Sequence, residues 1–369
     1  MGESIAEISD GRLQVSLRMA APLTLHTPDF ARTDANSPML SDRNGALLFF
    51  SHYQPRGHSY RRLFDVGLRD GQAPQTVRWI DEPEPMLGKW IEAVWRDPGT
   101  GRLYGWYHAE EFVGGPAKLF VPHIGAIASD DDGLSWHFLG EMLRAPAHLT
   151  DIGYCNGFLA GGYGDFCVVP DRAGQYFYLA FSSYVADEAA QGIAMARYPL
   201  DTRNAPASAL ELWNGSDWVA AAGRLPVPLW PVRRGWRHAD PDAFWGPAIH
   251  FNRQLDAYVM LLNHTAGGYH NMLQEGIYVS VSRTPENPAS WSAPLRLIAG
   301  GAWYPQAIGL AAGSGDSFID GPARFFMAGH SAWEIEFSWA SSPERKDRVL
   351  EATKPLYYSL FGDRYPAPW

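Results

Sequence analysis

Cysteine is nearly missing from this chain, with Cys155 and Cys167 the only two in 369 residues. Neither lies in a Cys-x-x-Cys pair or beside a histidine, so a structural zinc site built on thiolates is excluded. A bridge across a hairpin is one reading of the two, and a pair of buried free thiols is the other. Long apolar runs are lacking too. No segment approaches the roughly 18 uninterrupted apolar residues of a membrane-spanning helix. Residues 1–18 carry no basic stretch followed by an apolar core, so no signal peptide is read there, although a leader already removed would leave no trace. Localisation is therefore left open.

Basic charge is also scarce: 30 Lys and Arg face 40 Asp and Glu, for a net charge of −10. Nucleic acid and anionic membranes reward clustered Lys and Arg, and here Arg61-Arg62 and Arg233-Arg234 stand as isolated pairs. Neither partner is expected. No G-x-S-x-G, H-E-x-x-H or P-loop pattern occurs, which leaves serine hydrolysis, zinc proteolysis and nucleotide chemistry without support. Few segments show the 3.6-residue period of a long amphipathic helix.

What is abundant is aromatic side chain and turn residue. Phe, Trp and Tyr make up 14% of the chain, and 37 Gly and 28 Pro are scattered along it, as many short strands joined by turns require. Apolar or alternating runs of five to seven residues, rich in β-branched and aromatic side chains, read as strands. They recur in units of about 50–70 residues. The first unit has the turn Asp42-Arg43-Asn44-Gly45 before Ala46–Ser51, and the second has Ile91-Glu92-Ala93-Val94-Trp95 before Leu103–His108. Five units are expected, at about 30–80, 89–143, 161–220, 242–298 and 303–345, in a single all-β domain, a five-bladed β-propeller. Ring closure would recruit Arg12–Arg18 into the last blade, and about 204–240 reads as an insertion walling a binding site.

In such a wheel the inner strands begin at one mouth of a central channel. Asp34, Glu92 and Asp165 occupy that place in three consecutive units. A carboxylate set inside strand sequence is costly to bury without purpose. Taken singly, each could simply satisfy backbone amides or an arginine; three in succession point to chemistry. His108 and Glu110 lie two apart on one strand face and could touch substrate hydroxyls, or His108 could act as an acid. His250 and His264 are candidates for substrate or cation binding in the fourth unit, with satisfied structural histidines as the plainer reading. Trp245, Trp303 and Tyr304 open the inner strands of units four and five, where aromatics suit stacking on sugar faces or core packing. No cofactor is implied and no protein metal ligand is assigned, although a structural or channel-bound calcium ion is compatible with the plan.

The stretch Ser129-Asp130-Asp131-Asp132-Gly133-Leu134-Ser135-Trp136 resembles the Asp-box turn of sialidases and related propellers. The one-per-blade carboxylates Asp34, Glu92 and Asp165 resemble the plan of five-bladed furanosidase-type glycoside hydrolases: arabinanases and β-xylosidases, invertases and levansucrases, and neoagarobiose hydrolases. That resemblance implies a glycosidase acting on an oligo- or polysaccharide, with Asp34 as base or nucleophile, Glu92 as the tuning carboxylate and Asp165 as acid. The arabinanase-like branch usually has Asp second and Glu third, so the reversed order here leaves Glu92 open as the acid. Arg96-Asp97-Pro98 matches the invertase Arg-Asp-Pro signature but runs straight into Gly99-Thr100-Gly101, which makes it a hairpin turn. The alternatives are a sialidase-like hydrolase, for which Arg62, Arg197 and Arg324 would have to converge, a non-catalytic carbohydrate-binding propeller, and a lyase.

Overall fold

The computed structural model describes residues 4–351 apart from 27–32, 43, 53–56, 66, 69, 84–86, 115–118 and 267–273, so Arg43 of the first turn lies outside the described residues. Five separate sheets form a five-bladed β-propeller. Blade one runs outward through Met39–Asp42, Gly45–His52, His58–Phe64 and Gln75–Thr76. Blade two runs through Gly88–Arg96, Leu103–Gly114, Leu119–Ser129 and Ser135–Leu143, with Arg78–Ile80 added in parallel outside. Blade three begins Tyr163–Pro170, Tyr176–Ser183, Gly192–Pro199, and blade four is Asp242–Asn252, Ala257–Ala266, Gln274–Ser282 and Leu295–Ala299. Blade five has Gln306–Gly309, Ala323–Met327 and His330–Trp339.

The N-terminus finishes blade five. Leu13–Thr24 pairs with His330–Trp339 in a register running from Leu13 opposite Trp339 to Thr24 opposite His330, and Ala6–Ser9 lies outside it. The ring is therefore closed by hydrogen bonds between the two ends of the chain, which removes an exposed sheet edge.

Each blade is covered on both faces by its neighbours, which explains why its middle strands are continuously apolar. Ala257–Leu262 is buried at every position. Trp106, Phe177 and Tyr198 fill the space between blades two and three, and the Trp106 indole donates to the Tyr198 hydroxyl at 3.0 Å. Cys167 is buried and its thiol is pushed up to about 12 by desolvation, whereas Cys155 is exposed; the two are not bonded.

The turn after Leu119–Ser129 is tied by its own side chains. Asp131 accepts from the Ser135 N–H at 2.8 Å and the Ser135 hydroxyl at 2.6 Å, and the Ser129 hydroxyl donates to it at 2.8 Å. Gly133 takes φ +79°, and the fully buried Trp136 donates to its carbonyl at 3.1 Å. Asp131→Ala should lower stability by about 1–3 kcal/mol, since several donors lose their acceptor at once. Urea unfolding measures this, and an unchanged midpoint would show the turn to be held by the strands alone.

The segment 204–240 is only partly an excursion. Glu211–Trp213 and Trp218–Ala220 extend blade three, while Trp230–Pro231 pairs with Gly192–Pro199. At the end of the segment Trp236 packs edge-on against Tyr184, with ring centroids 4.9 Å apart. At the other end of the wheel, Gly315 bridges to Leu40 of blade one and Phe318–Ile319 runs parallel to the inner strand of blade four. No helix among the described residues is long and apolar enough to cross a membrane.

Candidate active site

One device recurs at the hub. The inner strand of blade two skips a partner between Ile91 and Ala93, and that of blade three skips one between Gly164 and Phe166. The unpaired residues are Glu92 and Asp165. A bulge turns its extra residue out of the ladder and re-aims the side chain. Asp165 also takes φ +42°, a conformation uncommon outside glycine but most accessible to Asp and Asn. Blade four skips between Trp245 and Ala248, with Gly246 at φ +57°, and Tyr304 precedes the inner strand of blade five at φ +53°. Two of the seven described non-glycine residues with positive φ, Asp165 and Tyr304, thus meet at the hub.

The bulges are laced together. The Asn36 amide donates to the carbonyls of Phe166 at 2.9 Å and Pro247 at 3.0 Å, joining blades one, three and four. The Gln306 amide donates to the Ser37 carbonyl at 2.9 Å and accepts from the Ser37 N–H at 3.1 Å. The Ser182 hydroxyl accepts from the Gly246 N–H at 2.9 Å and donates to the Asp165 carbonyl at 3.2 Å.

Glu92 is completely buried. One of its oxygens lies 3.0 Å from His108 Nδ1 and the other accepts from the Phe166 N–H at 3.0 Å. Burial pushes its carboxyl up to about 7, reinforced by the charge of Asp165 and opposed by the His108 bond. Burial alone would lower His108, but the bond to Glu92 and the charges of Glu92, Asp165 and Glu110 outweigh it and hold the imidazole near 9. His108 Nε2 is 3.8 Å from Glu110. Asp165, only 8% exposed, accepts the Tyr304 hydroxyl at 3.0 Å on one oxygen and the Tyr184 hydroxyl on the other. Asp34 is half-buried, and its N–H donates to the Ser51 carbonyl at 2.9 Å. The Tyr304 phenol is held well above its usual range, first by burial and then by the charges of Asp165, Asp34 and Glu92. Three carboxylates from three blades therefore bear on one phenol.

Other candidates fall differently. Trp245 is buried, with its ring 5.7 Å from that of Tyr304 in an edge contact, so it supports the site from beneath and offers no face for stacking. Trp303 is half-buried beside it. His250 is not brought to the site: it lies against Phe337 of blade five, 5.3 Å between centroids, and burial pushes it down to about 3. Five residues along the strand from Trp245, it belongs to the core between blades. His264 stands at the rim of blade four, 3.2 Å from both Asp242 and Glu275. Its hydrogen bond is the main reason Glu275 is drawn down to about 2. Arg62, Arg197 and Arg324 do not converge. Arg62 bonds the Leu25 and Gln72 carbonyls, Arg197 pairs with Glu211 at 2.7 Å, and Arg324 bonds the Ala21 carbonyl. The sialidase arrangement also needs an ionisable tyrosine nucleophile, whereas Tyr304 is held protonated as a donor. The Arg96-Asp97-Pro98 segment is a turn, Asp97 accepting the Gly99 N–H at 2.8 Å and the Arg203 guanidinium at 2.9 Å.

Among the described residues, Glu92, His108 and Asp165 form the one group of three or more His, Cys, Asp or Glu side chains whose ligand atoms all lie within 4.8 Å of one another. Calcium takes about six to eight oxygen ligands. Here an imidazole joins two carboxylates whose oxygens are already hydrogen-bonded, so the set fits an acid–base cluster better than a calcium cage. Tyr184, Asn36 and Ser182 were not foreseen from the sequence, because a single hydroxyl or amide in or beside an apolar strand carries no repeat signal of its own.

The fold and hub together define a five-bladed propeller with a carboxylate cluster at one mouth. The catalytic domain of a Coprinopsis cinerea GH62 α-L-arabinofuranosidase is similar over 92% of this chain and 99% of its own, at 11% identity and a TM-score of 0.50. An exo-β-1,3-galactanase from Phanerochaete chrysosporium, solved with galactose, is similar over 90% of this chain and 66% of its own, at 11% identity and a TM-score of 0.50. An exo-β-1,3-galactanase from Clostridium thermocellum gives 11% identity and a TM-score of 0.50 over 88% of this chain, which spans 62% of that longer protein. No protein-family model matches the sequence, and no curated protein matches it.

Proposed function

We propose that this chain hydrolyses a glycosidic bond in an oligo- or polysaccharide at the hub of the propeller. The observation that supports the reading is the pair of buried carboxylates Glu92 and Asp165 set in bulges of adjacent inner strands, with Asp165 accepting from the Tyr304 phenol. Glycoside hydrolysis needs a carboxylic acid to protonate the departing oxygen and a second carboxylate opposite, acting through water or directly on the sugar. In this reading Asp165 serves as acid and the half-buried Asp34 as opposing carboxylate. Glu92, walled in by His108 and the Phe166 N–H, is a positioning residue that acts through Asp165. The similar galactanase solved with galactose and the similar arabinofuranosidase support a carbohydrate substrate. No step calls on a cofactor.

A non-catalytic carbohydrate-binding propeller would rest on exposed aromatic platforms, and the burial of Trp245 removes one of those. Incubation with aryl glycosides and with plant, algal and bacterial polysaccharides tests the proposal directly. Release of reducing sugar without an ultraviolet-absorbing unsaturated product is expected. Saturable binding with no product from any bound glycan would sink hydrolysis in favour of the binding protein, and an unsaturated product would make the chain a lyase.

A further inference from the structure

Between blades five and one, two histidines distant in sequence meet head to head. His26 follows the closing strand Leu13–Thr24, and His330 opens the strand that pairs with it. Their Nε2 atoms are 3.0 Å apart and their rings are nearly perpendicular, at 86° with centroids 4.6 Å apart. His330 Nδ1 is 3.1 Å from the Thr24 hydroxyl. A third imidazole, His52 of blade one, stands 5.7 Å from the His26 ring. His26 and His52 are both buried.

We propose that His26 and His330 form a two-histidine site for a first-row transition-metal dication such as Zn²⁺, with water completing the coordination. Zinc–imidazole bonds of about 2.0–2.1 Å in a tetrahedral site place two ligand nitrogens only slightly further apart than these are. A ligating histidine characteristically uses its other ring nitrogen to bond an outer partner that fixes the ring, and Thr24 stands in that position. Imidazole donors select zinc, copper, nickel or cobalt over calcium and magnesium. On binding, both Nε2 lone pairs go to the metal, and the ring that carried its proton on Nε2 carries it on Nδ1 instead, so two neutral imidazoles ligate with no net loss of a ring proton. The ion would join the end of the closing segment Leu13–Thr24 to the strand His330–Trp339, so it acts as a clasp on the ring.

The test uses the full chain after chelator treatment and dialysis. Titration with Zn²⁺ by calorimetry should give one equivalent bound, and Co²⁺ should give the visible band of an imidazole-ligated site. Saturating Zn²⁺ should raise Tm. His26→Gln and His330→Gln should each weaken binding beyond the roughly 10–100-fold typical of losing an outer partner, and Thr24→Val should weaken it about tenfold. Circular dichroism confirms that each variant is folded. Glu92→Gln should leave the stoichiometry unchanged. Absence of binding in the wild-type chain would overturn the site and leave a histidine–histidine hydrogen bond. Binding that survives both histidine substitutions, or that disappears with Glu92→Gln alone, would equally overturn it. Neither result bears on glycoside hydrolysis, which is read from product release.

Discussion

Asp165→Asn should lower kcat by about 10²–10⁴-fold, the range a positioned acid or base contributes, while substrate affinity changes little. The amide keeps the size of the carboxyl, and one oxygen still accepts from a phenol, so the hub should hold its shape. The loss should depend on the leaving group. If Asp165 donates the proton, a nitrophenyl glycoside, which departs without help, should be cleaved far less impaired than a natural sugar–sugar bond. Asp34→Gly should instead be impaired on both substrates and regain turnover with added azide, which stands in for the missing carboxylate. Equal losses on both leaving groups in Asp165→Asn, with azide rescuing that variant, would exchange the two roles. Full activity in both variants would remove the carboxylates from the chemistry.

The second large effect is expected at His108. Glu92 ionises in the folded chain near pH 7, above its ordinary 4.5, so keeping it buried costs stability progressively as pH rises from about 4.5 through 7. The raised His108 works the other way: its contribution is full below its ordinary 6.5 and is lost as pH rises through about 9. Between roughly pH 7 and 9 the two are paired ions and largely offset each other. His108→Asn strands a buried carboxylate, so a loss of about 3–5 kcal/mol is expected near pH 8. Near pH 5 the loss should be smaller, because Glu92 can stay neutral there. Urea unfolding at the two pH values measures both, and a loss that does not vary with pH would contradict the pairing.

The hub shows how far a sequence can be read. A carboxylate interrupting Ile91-Glu92-Ala93 is visible because charge inside an apolar run is rare, and its position before an aromatic strand recurs in the neighbouring unit. The bulge that aims it is not visible, since one unpaired residue leaves the alternation of its neighbours only slightly disturbed. Tyr184 and Asn36 were equally hidden. Asn36 makes its contact across more than one blade boundary and Tyr184 from just past the end of a second strand, and nothing in local pattern marks either. The misplacement of His250 has the same origin. Its strand lies at the hub, but alternation of side chains turns that position between blades, where Phe337 covers it.

Composition, turn residues and repeating apolar runs by themselves determined an all-β chain of repeated units, because strand period and turn chemistry are local properties of the backbone and its nearest side chains. Which of those units meet, and which groups share a proton, was decided only when the ring closed. Closure through Leu13–Thr24 brought Tyr304 to Asp165 and His26 to His330, contacts between residues more than a hundred positions apart. Burial then set the charges of Glu92 and His108, a quantity that depends on what surrounds a group in space and has no counterpart in its place along the chain.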